Sequence, residues 1–360
     1  MSFSSIFKNL KVIDLSSVLA GPSVGTFFAE LGADVVKVEH SIKMDVTRTW
    51  KLPSEDKNNN ISAYFSSVNY KKNYRFLDLK KKEDLNSVYE LIKTADIVLM
   101  NFKKGGQEKL GISDKKLYEL NSQLIIGKIS GFGSDNDRVA YDLILQAESG
   151  FMSINGTDES GPLKMPVALI DVLAAHHLKE GILIALIEKF KQKNFKGRTI
   201  TVSLYDAAIS SLVNQATNYL MTGNIPERIG SLHPNIAPYG ELFITKDGGI
   251  ITFAIGSNRH FELMCNWLRR EELTTDIKFK NAQSRVKHRG LLFQELQKSV
   301  NQFEAVEILD GMKALNVPCA KIKNLKEVFD DEAAEKLVKT EKIDGVETKR
   351  VTSVAFKVSS

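Results

Sequence analysis

Cysteine is nearly absent from this chain: its 360 residues hold two, Cys265 and Cys319. That count excludes a disulfide framework and a cysteine-rich zinc site, and it fits a reducing compartment. No apolar run approaches the roughly 20 residues that a membrane span needs, so no membrane partner is expected. The opening Met1-Ser2-Phe3-Ser4 fits no secretory signal, and a cytoplasmic location is the expectation. Several enzyme signatures are missing too. There is no G-x-G-x-x-G, no P-loop, no G-x-S-x-G and no H-E-x-x-H. The six histidines (His40, His176, His177, His233, His260 and His288) show no metal-ligand spacing, so no metal is expected. A net charge of +5, carried by scattered lysines, suits an anionic small ligand and falls far short of a nucleic-acid footprint.

What is present is an α/β pattern. Hydrophobic residues make up 43% and charged residues 26%, ordinary values for a globular chain, and the length favours two domains. Residues 11–39 read as strand, tight turn, helix, turn, strand, with Asp14 ending the first strand and Glu39 the second. Pro22 suits the first turn of the helix. Val24, Phe27, Phe28 and Leu31 give it one buried face. Gly32 suits a left-handed helix end. Val35, Val36 and Val38 form a β-branched run typical of a buried parallel strand. Such a unit opens a crevice at the carboxyl ends of its strands, where a nucleotide-bearing ligand binds.

The alternation continues. Strands are expected at 74–79, 96–99, 124–129 and 199–204, and helices at 82–95, 110–120, 172–192 and 206–221. Residues 222–240, with Pro226, Pro234 and Pro238, read as a linker. A hairpin at 241–245 and 249–254, helices at 257–270 and 284–315, and a strand from Val317 make a smaller α+β unit. The tail, 340–357, reads as strands returning to the first domain. The fold class is therefore α/β, a large doubly wound domain plus a smaller α+β domain. The boundaries are 1–205 with 331–360 for the large domain, 206–225 for a linker helix and 226–330 for the small domain.

Asp171 stands out chemically. It follows Pro166-Val167-Ala168-Leu169-Ile170 and precedes a long apolar helix. The position fits an N-cap, and it equally fits an ionised carboxylate near a helix N-terminus that acts as a nucleophile.

Three stretches carry a resemblance: Val12-Ile13-Asp14-Leu15, Val18-Leu19-Ala20-Gly21-Pro22 and Leu31-Gly32-Ala33-Asp34-Val35-Val36-Lys37-Val38-Glu39. Further along come Asn69-x-x-Lys72, Asn101-Phe102, Ser130-Gly131-Phe132-Gly133, Tyr141-Asp142 with Gln146-Ala147-x-Ser149-Gly150, His233-Pro234-Asn235-Ile236-Ala237-Pro238-Tyr239, and Val317-Pro318-Cys319. In this order they resemble the family III coenzyme A transferases, a group related to the acyl-CoA racemases. The resemblance implies a Rossmann-like large domain and an interlocked, ring-like homodimer. It implies coenzyme A as the substrate carrier, bound as acyl-CoA, and a small carboxylic acid as the second substrate. It places the catalytic aspartate on Asp171. It places CoA contacts on Ser17, Val18, Leu19, Ala20, His40, Lys72, Leu77, Lys80, Asn101, Phe102, Lys109 and Tyr141. The implied reaction moves CoA from an acyl-CoA donor to an acid through an aspartyl anhydride and an aspartyl-CoA thioester. The alternative is racemisation at the acyl α-carbon, where relatives carry a His-Asp pair and this chain has Tyr141-Asp142.

Overall fold

Six short strands build one parallel sheet: β1 Lys11–Asp14, β2 Asp34–Glu39, β3 Asn73–Phe76, β4 Ile97–Met100, β5 Ile125–Ser130 and β6 Arg198–Ser203. The structure, a computed structural model, describes residues 5–357. The strand order is β3-β2-β1-β4-β5-β6. Val12 lies opposite both Val35 of β2 and Ile97 of β4.

Both faces of the sheet are covered, as the apolar strands require. Val12, Ile97, Leu99, Ile125 and Ile129 point to one face. There they pack with Phe27 and Phe28 of the helix Ala20–Glu30 and with Leu178 and Ile182 of the helix Leu169–Lys191. Their strand neighbours Ile13, Val98, Met100 and Ile126 point to the other face. They meet Val88 and Ile92 of the helix Lys82–Lys93 and Leu117 of the helix Asp114–Leu120. This two-residue alternation is strand geometry read out by packing. Burying each large side chain contributes about 1.5–3 kcal/mol.

The chain forms two compact units. The first holds residues 5–152, 164–225 and 335–357, and the second holds 153–163 and 226–334. Residues 206–225 therefore group with the sheet and not as a separate linker segment, while 153–163 leave the first unit. The expected 206–221 helix is two helices, Leu204–Ser210 and Val213–Thr222, and Val213, which opens the second, lies at φ +40°. The expected 284–315 helix is three, Ala282–Lys287, Arg289–Val300 and Ala305–Ala314. Helical periodicity runs across these breaks, so sequence alone merges the pieces. In the second unit Phe243–Ile244, Ile250–Phe253 and Cys319–Lys321 form a three-stranded sheet over an apolar core that includes Phe253, Phe261 and Leu292.

The tail strands, Val338–Ile343 and Val346–Val351, pair with each other and belong to the first unit without joining its six-stranded sheet. Arg350 donates to Glu30, the last residue of the Ala20–Glu30 helix, and Ser353 N–H does the same at 2.9 Å. The Thr352 hydroxyl donates to it as well, and Thr352, Ser353 and Arg350 together outweigh the burial of the Glu30 carboxyl and hold it below its ordinary range. No described helix is long and apolar enough to cross a membrane.

Candidate active site

The strand order reverses direction between β1 and β4, and a parallel sheet opens a crevice at such a point. A cavity of about 490 Å³ lies there. One wall is Ser17–Ala20, directly after β1. A second is Asn101–Gly105, directly after β4. A third runs from Ser130 to Tyr141, after β5, and Asp171 closes the set.

The β1 loop is held by buried polar groups. Asp14 Oδ1 accepts the Ser16 N–H at 3.0 Å and the Ser16 hydroxyl. Ser17 N–H donates to Asn101 Oδ1 at 3.0 Å, and Asn101 Nδ2 returns a bond to Ser17 O at 2.8 Å. Val18 lies at φ +72°, a left-handed conformation that costs a β-branched residue about 1–3 kcal/mol. Its N–H donates to Asp45 Oδ2 at 3.0 Å. Leu19 is the N-cap of the Ala20–Glu30 helix and offers no side-chain cap to its first turn. Gly21 is required here: a Cβ would lie 2.3 Å from Ser16 Oγ.

Asp171 is prepared differently. It is the third residue of the Leu169–Lys191 helix, whose N-cap is Ala168, so it is not the cap itself. The residue is 9% exposed, and among the described residues no hydrogen bond reaches its carboxyl. Burial, and next the negative charge of Asp142, push its carboxyl up to about 7. The helix entry is clamped by the Tyr141-Asp142-x-x-x-Gln146 segment. Asp142 Oδ1 accepts Ile170 N–H at 2.7 Å, Gln146 Oε1 accepts Met165 N–H at 2.7 Å, and Gln146 Nε2 donates to Asp142 Oδ2 at 2.6 Å. One turn of helix thus sets both the position of Asp171 and part of its basicity. A carboxylate made more basic in this way is a stronger nucleophile than an ordinary one.

The remaining expected residues divide into groups. Ser17, Val18, Leu19, Ala20, Asn101, Phe102, Tyr141 and Asp171 all line the cavity. His40, Leu77 and Lys80 gather outside it, at the carboxyl ends of β2 and β3. His40 Nε2 lies 3.7 Å from Asp78 Oδ1, which also accepts Lys80 N–H at 3.1 Å, while Leu77 N–H donates to Glu39 O. The His40 Nδ1 accepts the N–H groups of Ile42 and Lys43, so the proton resides on Nε2. Lys109 is exposed at the end of the short helix Gly106–Lys109, beside the lining residues Gln107 and Glu108.

Lys72 is not placed to touch a ligand. It is buried under the sheet edge, and its ammonium donates to Asp14 Oδ2 at 2.8 Å, Pro22 O at 2.8 Å, Asn69 Oδ1 at 2.9 Å and Val68 O at 3.0 Å. Burial draws Lys72 down to about 8, which leaves it charged at neutral pH. Burial also acts to raise Asp14, but Lys37 and Lys72 outweigh it and hold the carboxyl at about 2. The pair packs under Gly25, where a Cβ would meet Asp14 Oδ2 at 3.1 Å and Lys72 Nζ at 3.2 Å.

Sequence reading missed Lys37, Asp45 and Arg48. Lys37 is fully buried, 3.6 Å from Asp45 and 3.9 Å from Asp14. Arg48 forms a two-pronged pair with Glu39 at 2.7 and 2.9 Å. It also missed two cavity cations, Lys128 and Arg138. They pair with Asp114 at 2.6 Å and with Glu148, respectively. Among the described residues no cluster of three His, Cys, Asp or Glu side chains is arranged to hold a metal.

The sequence family described as CoA-transferase family III matches residues 7–360. The chain belongs to that family. The transferase is 36% identical over 328 residues to a succinate–glutarate CoA-transferase of Agrobacterium fabrum, an alignment covering 89% of this chain and 81% of that one. It is 31% identical over 325 residues to the human succinyl-CoA:glutarate CoA-transferase, covering 89% and 73% respectively. Among solved structures it is similar to a CaiB/BaiF family protein from Brucella suis. There the TM-score is 0.85 and the identity 32%, over 98% of this chain and 93% of that one. The transferase uses CoA thioesters as substrates.

Proposed function

We propose that this transferase moves CoA from an acyl-CoA donor to a small dicarboxylic acid, with Asp171 as the covalent carrier. The observation that carries the reading is one bare, basic carboxylate sharing a cavity with the backbone loop Ser17–Ala20 and with Asn101-Phe102. Two relatives are named for succinate and glutarate, which supports a dicarboxylate.

An Asp171 carboxylate oxygen attacks the donor thioester carbonyl. The C–S bond breaks, CoA leaves as thiolate, and a mixed anhydride remains. The thiolate attacks the Asp171 acyl carbon, releasing the donor acid and leaving an aspartyl-CoA thioester. The acceptor carboxylate attacks that thioester carbonyl and expels the thiolate again. The thiolate then takes the acceptor acyl group from the second anhydride, and Asp171 is a carboxylate once more. Each step exchanges one acyl oxygen or sulfur bond for another, so no proton carrier is needed. Holding CoA in the crevice makes every attack effectively unimolecular. Ser17–Ala20, Asn101, Phe102 and Tyr141 contact CoA in this reading. His40, Leu77, Lys80 and Lys109 extend the site toward its far end.

The reading includes a homodimer. Ile184, Ile187 and Phe190 of the long helix and Leu220 and Met221 after it are exposed apolar side chains, which a second copy would cover. The deciding experiment traps the intermediate. Protein mixed with succinyl-CoA and treated with borohydride or hydroxylamine is digested and weighed. A modified peptide containing Asp171 is expected, and unmodified Asp171 alongside turnover overturns the scheme.

A further inference from the structure

We propose that Asp45, braced by Lys37, is a positioning residue for CoA binding: it holds Val18 in its left-handed conformation and so sets the direction of the β1 loop. This rests on the proposed role of that loop and assigns the part that keeps it in shape. Neither residue touches the cavity, and both are buried.

The geometry is a short chain of contacts. Val18 is a β-branched residue at φ +72°, a conformation that such residues adopt only when their surroundings impose it. Among the described residues its N–H donates to a single acceptor, Asp45 Oδ2, at 3.0 Å. Asp45 is itself fixed: Oδ1 accepts Thr47 N–H at 3.0 Å and Thr47 Oγ1 at 2.7 Å, and its own N–H donates to Glu39 Oε2 at 2.8 Å. Lys37 lies 3.6 Å from Asp45 Oδ2 and donates to Ser16 O at 2.7 Å. Asp45 and Lys37 therefore grip the loop from two sides, one through the Val18 N–H and one through the Ser16 carbonyl. Were Val18 released, a normal negative φ would swing the Ser17–Val18 peptide and turn its polar groups away from their present direction.

The test compares Asp45→Ala, Asp45→Asn and Asp45→Ala combined with Val18→Gly. Glycine adopts φ +72° without help, so it substitutes for the brace. Asp45→Ala is expected to raise the KM for succinyl-CoA about tenfold while kcat changes less than about threefold. The added Val18→Gly change is expected to recover most of that loss. Asp45→Asn keeps an acceptor for the Val18 N–H and should stay within about threefold of native KM. Hydrogen exchange of the Val18 amide, measured without ligand, should be fast in Asp45→Ala and slow in Asp45→Asn.

A KM unchanged in a folded Asp45→Ala protein overturns the proposal. So does a Val18 amide that exchanges as slowly in Asp45→Ala as in the native protein, which would give Asp45 a general structural role only. Native protein that binds no CoA overturns the functional reading and the ligand assignment together. The Val18 amide, read without ligand, then shows whether the brace itself exists.

Discussion

Asp14, beneath the β1 loop, and Asp171, in the cavity wall, are both buried aspartates, yet their surroundings are opposite. Asp14 receives two bonds from Ser16 and one from Lys72, with Lys37 nearby, and its carboxyl is held at about 2. Asp171 receives no bond among the described residues, sits near the like charge of Asp142, and rises to about 7. The first arrangement fixes a charge permanently in order to hold backbone. The second leaves a charge uncompensated, so that forming a covalent bond relieves it. Buried charge is therefore not one category: its partners decide whether it acts as scaffold or reagent.

The contrast is broken most severely by removing the reagent. Asp171→Ala should reduce CoA transfer by about 10⁴-fold or more in a folded protein, measured with succinyl-CoA and glutarate. Near-native turnover would remove Asp171 from the chemistry. Removing the scaffold should instead damage stability. Lys72→Met leaves Asp14 buried with Lys37 as its sole cation, at a cost of about 3–5 kcal/mol in urea unfolding. A loss under about 1 kcal/mol would show that the pair is dispensable.

A smaller effect has the opposite sign. The folded state raises the Asp171 carboxyl above its unfolded value, so folding favours the protonated form. The penalty is absent below about pH 4 and complete above about pH 7. Asp171→Asn, inactive, should therefore be more stable than native by about 2–4 kcal/mol at pH 8, with the gap closing toward pH 4. Equal stability at pH 8 would mean that the carboxylate is solvated after all. The finest adjustment is Asp142→Asn, which keeps the oxygen that receives the Ile170 N–H but removes the charge. Native transfer should decline as pH falls through about 7, and the variant should shift that limb downward by less than about one unit. A native limb near pH 4 would contradict the raised Asp171 value.

Much of this was legible in the sequence, and the reasons are local. The apolar runs at 11–14, 34–38 and 97–100 announce buried parallel strands, and Gly32 adopts the expected positive φ of +97°. Asp171 was legible as a residue at a helix start, though it occupies the third helical position and not the cap. Lys72 was misassigned because the motif Asn69-x-x-Lys72 carries no hint of Asp14, 58 residues earlier, as its partner. Lys37 and Asp45 were invisible for the same reason. A lysine inside Asp34-Val-Val-Lys-Val-Glu reads as the solvent side of a strand, whereas the structure buries it completely. Composition and period report on neighbours in sequence, while these ion pairs join segments brought together only by the sheet.

The Arg350–Glu30 contact has a bearing on how the chain is made. The last described stretch, 335–357, completes a unit whose first strand begins at Lys11, with the whole 226–334 unit synthesised in between. The first helix consequently leaves the ribosome long before the residues that fasten its far end exist. During translation the 226–334 unit has all but its small 153–163 segment in one continuous stretch and is free to mature early. The unit that holds the six-stranded sheet lacks its last contacts to Glu30 until the tail is delivered.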